Sequence, residues 1–161
     1  MAALSVLAVA VASGKVGYVY LQSGRLQDWG ITVKAANSSS DLVAFAQRLI
    51  NEFQPDVFVT EDCAEGCRKG DKSKRLITSL AELASHNTVL DINISRPRTF
   101  QSKYEEAQAL ADAHSEIAGY LPSRKRRIFD FEPRGMVLFE ALALAVEVMK
   151  GPPTKLAAAM G

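Results

Sequence analysis

The sequence predicts a single α/β domain built on a mixed five-stranded sheet with helices on both faces. Three features carry this reading. An uninterrupted apolar run opens the chain, two strand-like runs follow it through tight turns, and helical patterns then alternate with short apolar strands. The 161 residues suit one domain, and a 48% hydrophobic content is enough to fill a sizeable core. With 19 basic against 18 acidic residues there is no global field to attract a polyanion, so nucleic-acid binding would have to come from local basic clusters.

The elements follow in order. Leu4 to Ala12 is continuously apolar and rich in valine, the pattern of a strand covered on both faces. Ser13-Gly14-Lys15 turns the chain into a second strand, Val16 to Leu21, and Ser23-Gly24 turns it into a third, Leu26 to Val33, which completes an antiparallel meander. Ser38-Ser39-Ser40 with Asp41 reads as a helix start, because hydroxyls and an early acid satisfy the first N–H groups. Leu42, Phe45, Ala46, Leu49, Ile50 and Phe53 then recur at helical spacing, and Pro55-Asp56 ends the helix. Val57 to Thr60 is a short buried strand finishing at Glu61.

Cys63 to Lys74 reads as a polar loop. Leu76, Ile77, Leu80, Leu83 and Ala84 mark a second helix, Val89 to Ile94 a fifth strand, and Ser102 to Ala118 a third helix. Pro133 precedes a last helix, Gly135 to Met149, apolar on nearly every face, which Gly151-Pro152-Pro153 stops. The domain thus occupies residues 1–150, and 151–161 read as a flexible tail.

Some residue types exclude or leave open particular chemistries. Cys63 and Cys67 are too few for a disulfide framework and fit a reducing cytosol; as a zinc pair they would need two further ligands, and His86 and His114 are not close to them in sequence. The opening apolar run lacks a basic leader and is too short to span a bilayer, so the expected location is cytoplasmic, with no membrane partner. Basic residues gather at Arg68, Lys69, Lys72, Lys74 and Arg75, at Arg124 to Arg127, and at Arg96 and Arg98. Such runs are either solvated loops or phosphate-binding patches, and the sequence leaves both open.

Three stretches resemble one family. Val6 to Ala10 leads through Ser13 into Gly17-Tyr18; Pro55-Asp56 opens a strand that ends in Glu61; and Glu140-Ala141-Leu142-Ala143 lies in the last helix. In this order, on these elements, they resemble the RuvC-type Holliday-junction resolvases of the ribonuclease H-like superfamily, over about residues 4–149. The resemblance implies four acidic positions at a two-metal centre that hydrolyses phosphodiesters with Mg²⁺ or Mn²⁺. They fall on Ala10, Glu61, Val137 and Glu140, so only Glu61 and Glu140 keep a carboxylate. The position held by Ala10 is the one whose acid bridges both metals in that family. Asp130 and Glu132 are candidate substitutes, although an acid before a helix-starting proline also serves as a cap.

Glu140 itself, on an apolar helix, calls for a cleft, a cation or an ion pair with Arg134 or a nearby lysine. Asp62 points to the other face of its strand from Glu61 if the strand continues, and is a neighbour only. The function so implied is a nucleic-acid-binding domain, for branched or double-stranded DNA, with impaired or absent nuclease activity, and a homodimer is compatible with it. Two other readings stay open: a protein-interaction or structural role that keeps only the fold, and an active metal-dependent nuclease with relocated ligands.

Overall fold

The structure, a computed structural model, describes residues 4–12, 14–61, 70–87, 90–94, 103–121 and 135–150. The chain runs β1 (Ser5–Ala12), β2 (Lys15–Gln22), β3 (Arg25–Thr32), α1 (Ser39–Phe53), β4 (Val57–Glu61), α2 (Asp71–Ser85), β5 (Leu90–Ile94), α3 (Lys103–Ala113) and α4 (Met136–Lys150). The strands form one sheet in the order β3-β2-β1-β4-β5. β1, β2 and β3 are antiparallel neighbours, while β4 is parallel to β1 and to β5.

β1 lies at the centre of the sheet, which is why its sequence does not alternate. All eight of its residues are buried. Val6, Ala8, Ala10 and Ala12 face a core shared with α3 and α4, and Leu7, Val9 and Val11 face a second core under α1 and α2. Its parallel pairing with β4 is fixed at one end by Asp56. The Asp56 carboxylate accepts from the Ser5 backbone N–H (3.0 Å) and hydroxyl (3.1 Å), and the Asp56 N–H donates to Ser5 Oγ (2.9 Å).

The start of α1 forms as its sequence predicts: Ser38 is the N-cap, and its Oγ accepts from the Asp41 N–H at 3.1 Å. At the other end Gln54 turns left-handed (φ 46) just before Pro55. A short 3-10 turn, Lys34–Ala36, precedes α1 and buries Ala35 and Ala36; no periodicity announces three residues.

Two element boundaries correct the sequence reading. The expected loop from Cys63 to Lys74 is shorter, because α2 begins at Asp71, so Lys72, Lys74 and Arg75 are helical. Gly70 occupies the cap position, Asp71 complements the first-turn dipole, and Ser73 turns inward, 8% exposed. The helix expected from Ser102 to Ala118 is broken in two: α3 ends at Ala113, His114 leaves helical geometry (φ −132, ψ 79), and Ser115–Tyr120 continues as a 3-10 helix.

Asp62, Cys63, Cys67, Arg68, Lys69, Arg96, Arg98, Arg124 to Arg127, Asp130, Glu132, Arg134 and the tail from 151 lie outside the described residues. Among the described residues, no helix is long and apolar enough to cross a membrane.

Candidate functional site

The site inferred from sequence draws on β1, β4 and α4, and the strand register fixes how these meet. β4 pairs with β1 as Val6↔Val57, Leu7↔Phe58 and Ala8↔Val59. Continued by two residues, that register sets Ala10 level with Glu61 on the neighbouring strand, a spacing of about 5 Å between parallel chains. Val57 and Val59 face the α4 core, so the alternation of the strand turns Glu61 to that same side, beside Ala10.

On the other flank of β1, Ala10 pairs with Gly17 of β2. A Cβ added to Gly17 would lie 2.9 Å from the carbonyl oxygen of Val137 and 3.1 Å from its Cγ1. The first turn of α4 therefore rests on β2 at the level of Ala10, and it can do so only because residue 17 has no side chain. At its far end, Met149 reaches within 3.3 Å of a Cβ added to Gly24, in the turn that closes β2. α4 thus runs along β2 in the same direction, and its N-terminal turn lies where β1 and β4 end. Open α/β sheets bind ligands at that end.

Ala10, Glu61, Gly17 and Val137 accordingly belong to one corner of the domain, and Glu140 follows Val137 by one turn. In the sequence, Gly17 stands out only as part of a motif. A glycine inside a strand is the available signal that another backbone comes close. Exposure separates these residues. Glu61 is half-buried at the strand end, whereas Ala10, Val137 and Glu140 are 2%, 1% and 3% exposed. Glu140 Oε2 is shut off from solvent, and the residue engages neighbours within the fold.

This donor set does not fit a two-cation centre. Hard divalent ions need several carboxylate oxygens, and Ala10 and Val137 present methyl groups at two of the four positions that the family resemblance names. Among the described residues, no three His, Cys, Asp or Glu side chains are placed to hold one metal ion.

Basic side chains collect at the same end. Lys15 opens β2, and Lys34 follows β3, whose Thr32 pairs with Val16. α2 ends shortly before β5, at the sheet end where the parallel strands begin, so its first turn, with Lys72, Lys74 and Arg75, points to the end where β1 and β4 finish. Lys72 and Arg75 are exposed and Lys74 is half-buried. Of the basic cluster read from the sequence, the described part is therefore a helix N-terminus near Glu61; Lys15 and Lys34 are additional cations that sequence spacing did not link to it.

Neither a family model nor a curated protein matches the chain. Solved structures do. Thermus thermophilus RuvC in complex with a Holliday junction substrate aligns with 92% of this chain and 97% of its own, at 14% identity and a TM-score of 0.58. A second Thermus thermophilus RuvC structure aligns over 91% and 96%, at 12% identity and a TM-score of 0.55. Fowlpox virus resolvase, crystallised with Holliday junction DNA, aligns over 91% and 97%, at 10% identity and a TM-score of 0.59. At these identities the likeness is one of fold: the chain has a RuvC-type, ribonuclease H-like architecture along nearly its whole length.

Proposed function

We propose that this chain, built on the fold of RuvC-type resolvases, binds branched or double-stranded DNA at the end of the sheet where β1 and β4 finish, and cleaves it poorly or not at all. Two of the three solved neighbours with this fold hold Holliday junction DNA. The observation that carries the proposal is the pairing of two features at one end of the domain. Lys15, Lys72, Lys74 and Arg75 supply phosphate-binding cations, while Ala10 and Val137 close the corner where further acids would be needed. The residues present can bind and position a duplex through its phosphates, which fixes orientation and reads no base sequence. They offer no carboxylate array to activate water, so no cleavage step is assigned to them. A Mg²⁺ or Mn²⁺ ion would find only Glu61 and Glu140 among the four family positions.

Anisotropy of a labelled four-way junction, with the products run on a denaturing gel in the presence of Mg²⁺, tests this. The expected result is binding at about 50 mM salt that weakens steeply as salt rises, with the junction left intact. Lys72→Ala/Lys74→Ala/Arg75→Ala should reduce the log–log salt slope by about 2–3, a near-unit step for each phosphate that is no longer neutralised. Absence of binding at low salt would favour the protein-interaction reading. Efficient cleavage would favour relocated ligands at Asp130 or Glu132.

A further inference from the structure

The opposite face of the sheet carries a second feature at the same end of the domain. Between edge strand β3 and helix α1 runs an open groove of about 650 Å³, whose walls include Tyr18, Gly30, Lys34, Asp41, Phe45 and Arg48. Tyr18 on β2 and Phe45 on α1 are both half-exposed where the two elements approach. Their rings meet edge to face, with centroids 5.8 Å apart and planes at 64°.

Tyr18 is held in place. Its hydroxyl donates to Asp28 Oδ2 at 3.0 Å, and its ring lies so close to Gly30, its cross-strand partner, that an added Cβ there would stand 2.7 Å from Cε1. Arg48 stands on the helix side with its guanidinium 5.5 Å from the Phe45 ring centroid, and exposed Lys34 stands at the other wall. Two acids lie at the groove, and both accept from a hydroxyl: Asp28 from Tyr18, and Asp41 from Ser38 at 3.1 Å as part of the α1 cap.

Fixed half-exposed rings flanked by flexible cations are the components of a surface for unpaired nucleotides. Every base offers a π-face to an aromatic ring, and the backbone between bases carries the charge that Lys and Arg accept. A duplex keeps its bases stacked inside and cannot use the rings. We infer that the β3–α1 groove binds a single-stranded segment of nucleic acid, one base resting against Tyr18 and Phe45 and its phosphates held by Lys34 and Arg48. This rests on the nucleic-acid reading above and extends it to a second surface with a different substrate form.

The full-length chain with a labelled oligothymidine of about ten nucleotides, read by anisotropy beside the four-way junction, provides the test. Lys34→Ala/Arg48→Ala should weaken the oligothymidine about tenfold and the junction much less, and Lys72→Ala/Lys74→Ala/Arg75→Ala should do the reverse. Ala44→Glu, an exposed rim change that sets a carboxylate into the groove, should also weaken the oligothymidine, with a thermal melt confirming that each variant stays folded. Removing the bases, with an abasic strand of the same length, should weaken wild-type binding about fivefold or more.

Intact junction binding with an oligothymidine affinity that Lys34→Ala/Arg48→Ala and Ala44→Glu leave within about twofold of wild type overturns the inference alone. A chain that binds neither ligand overturns it together with the proposed function. If these groove variants instead change sedimentation while leaving oligothymidine binding intact, the groove is a protein-contact surface and the inference is wrong.

Discussion

Gly17 and Tyr18 are adjacent in β2 and face opposite sides of the sheet, and each settles something about the side it faces. Gly17 lets the backbone of α4 come down onto the sheet at the level of Ala10. Gly17→Ala should therefore force α4 outward and cost roughly 1–3 kcal/mol, measurable as a lower denaturation midpoint with an unchanged m-value. Tyr18 has its pKa pushed well above the usual tyrosine value, by burial first and by the hydrogen bond to Asp28 second. A phenol whose pKa is raised on folding adds stability that is complete below the unfolded value, near 10, and is lost as the pH climbs from there toward the folded value. Thermal melts from about pH 8 to pH 11 should show wild type losing stability at the alkaline end, and Tyr18→Phe should flatten that loss. The sequence shows Gly17 and Tyr18 as a pair, but not what each touches. Contacts across a sheet depend on register: Gly17 lies level with Ala10, and Tyr18 with Gly30, only through the pairing of β2 with β1 and β3.

At the scale of elements, the sequence is most legible where one physical cause dominates. β1 reads directly because a strand covered on both faces has nowhere to put a polar side chain. The start of α1 reads directly because Ser38 and Asp41 form a local cap that owes nothing to the rest of the fold. The start of α2 is hidden because its first turn is charged and its apolar markers begin only at Leu76; the inward turn of Ser73 carries no hydrophobic signal. The break between α3 and the 3-10 helix is hidden for the opposite reason. Apolar spacing continues through Ile117 although the backbone changes at His114, since a buried side chain fits either helix type. The correction to α2 matters for function, because it moves Lys72 and Lys74 from a loop into the helix that carries Arg75 and begins at the end of the sheet where Glu61 lies.

At the scale of the whole molecule, the sheet order brings β1 beside β4, and α4 runs along β2 on the other flank of β1, so that Ala10, Glu61, Val137 and Glu140, far apart in sequence, share one corner. The likeness to resolvase structures extends over nine-tenths of the chain, so the architecture is that of the resolvases while two of the four positions named from the family resemblance are apolar. Convergence of these positions is what the depleted-centre account requires, as against four unrelated residues. Ala10→Asp/Val137→Asp tests that convergence. Both acids would enter sites now 2% and 1% exposed, so the variant should lose stability, by about 1–3 kcal/mol or more for each unpaired acid. Mn²⁺ should restore part of that loss, because an ion bound only by the native state stabilises it. The most direct measurement is a calorimetric Mn²⁺ titration of the folded double variant beside wild type. The expected result is binding at least about tenfold tighter in the variant, from two added carboxylates acting with Glu61 and Glu140 on one ion. A variant that binds Mn²⁺ no more tightly than wild type would show that these four positions do not form one cation site, and would contradict the depleted-centre account.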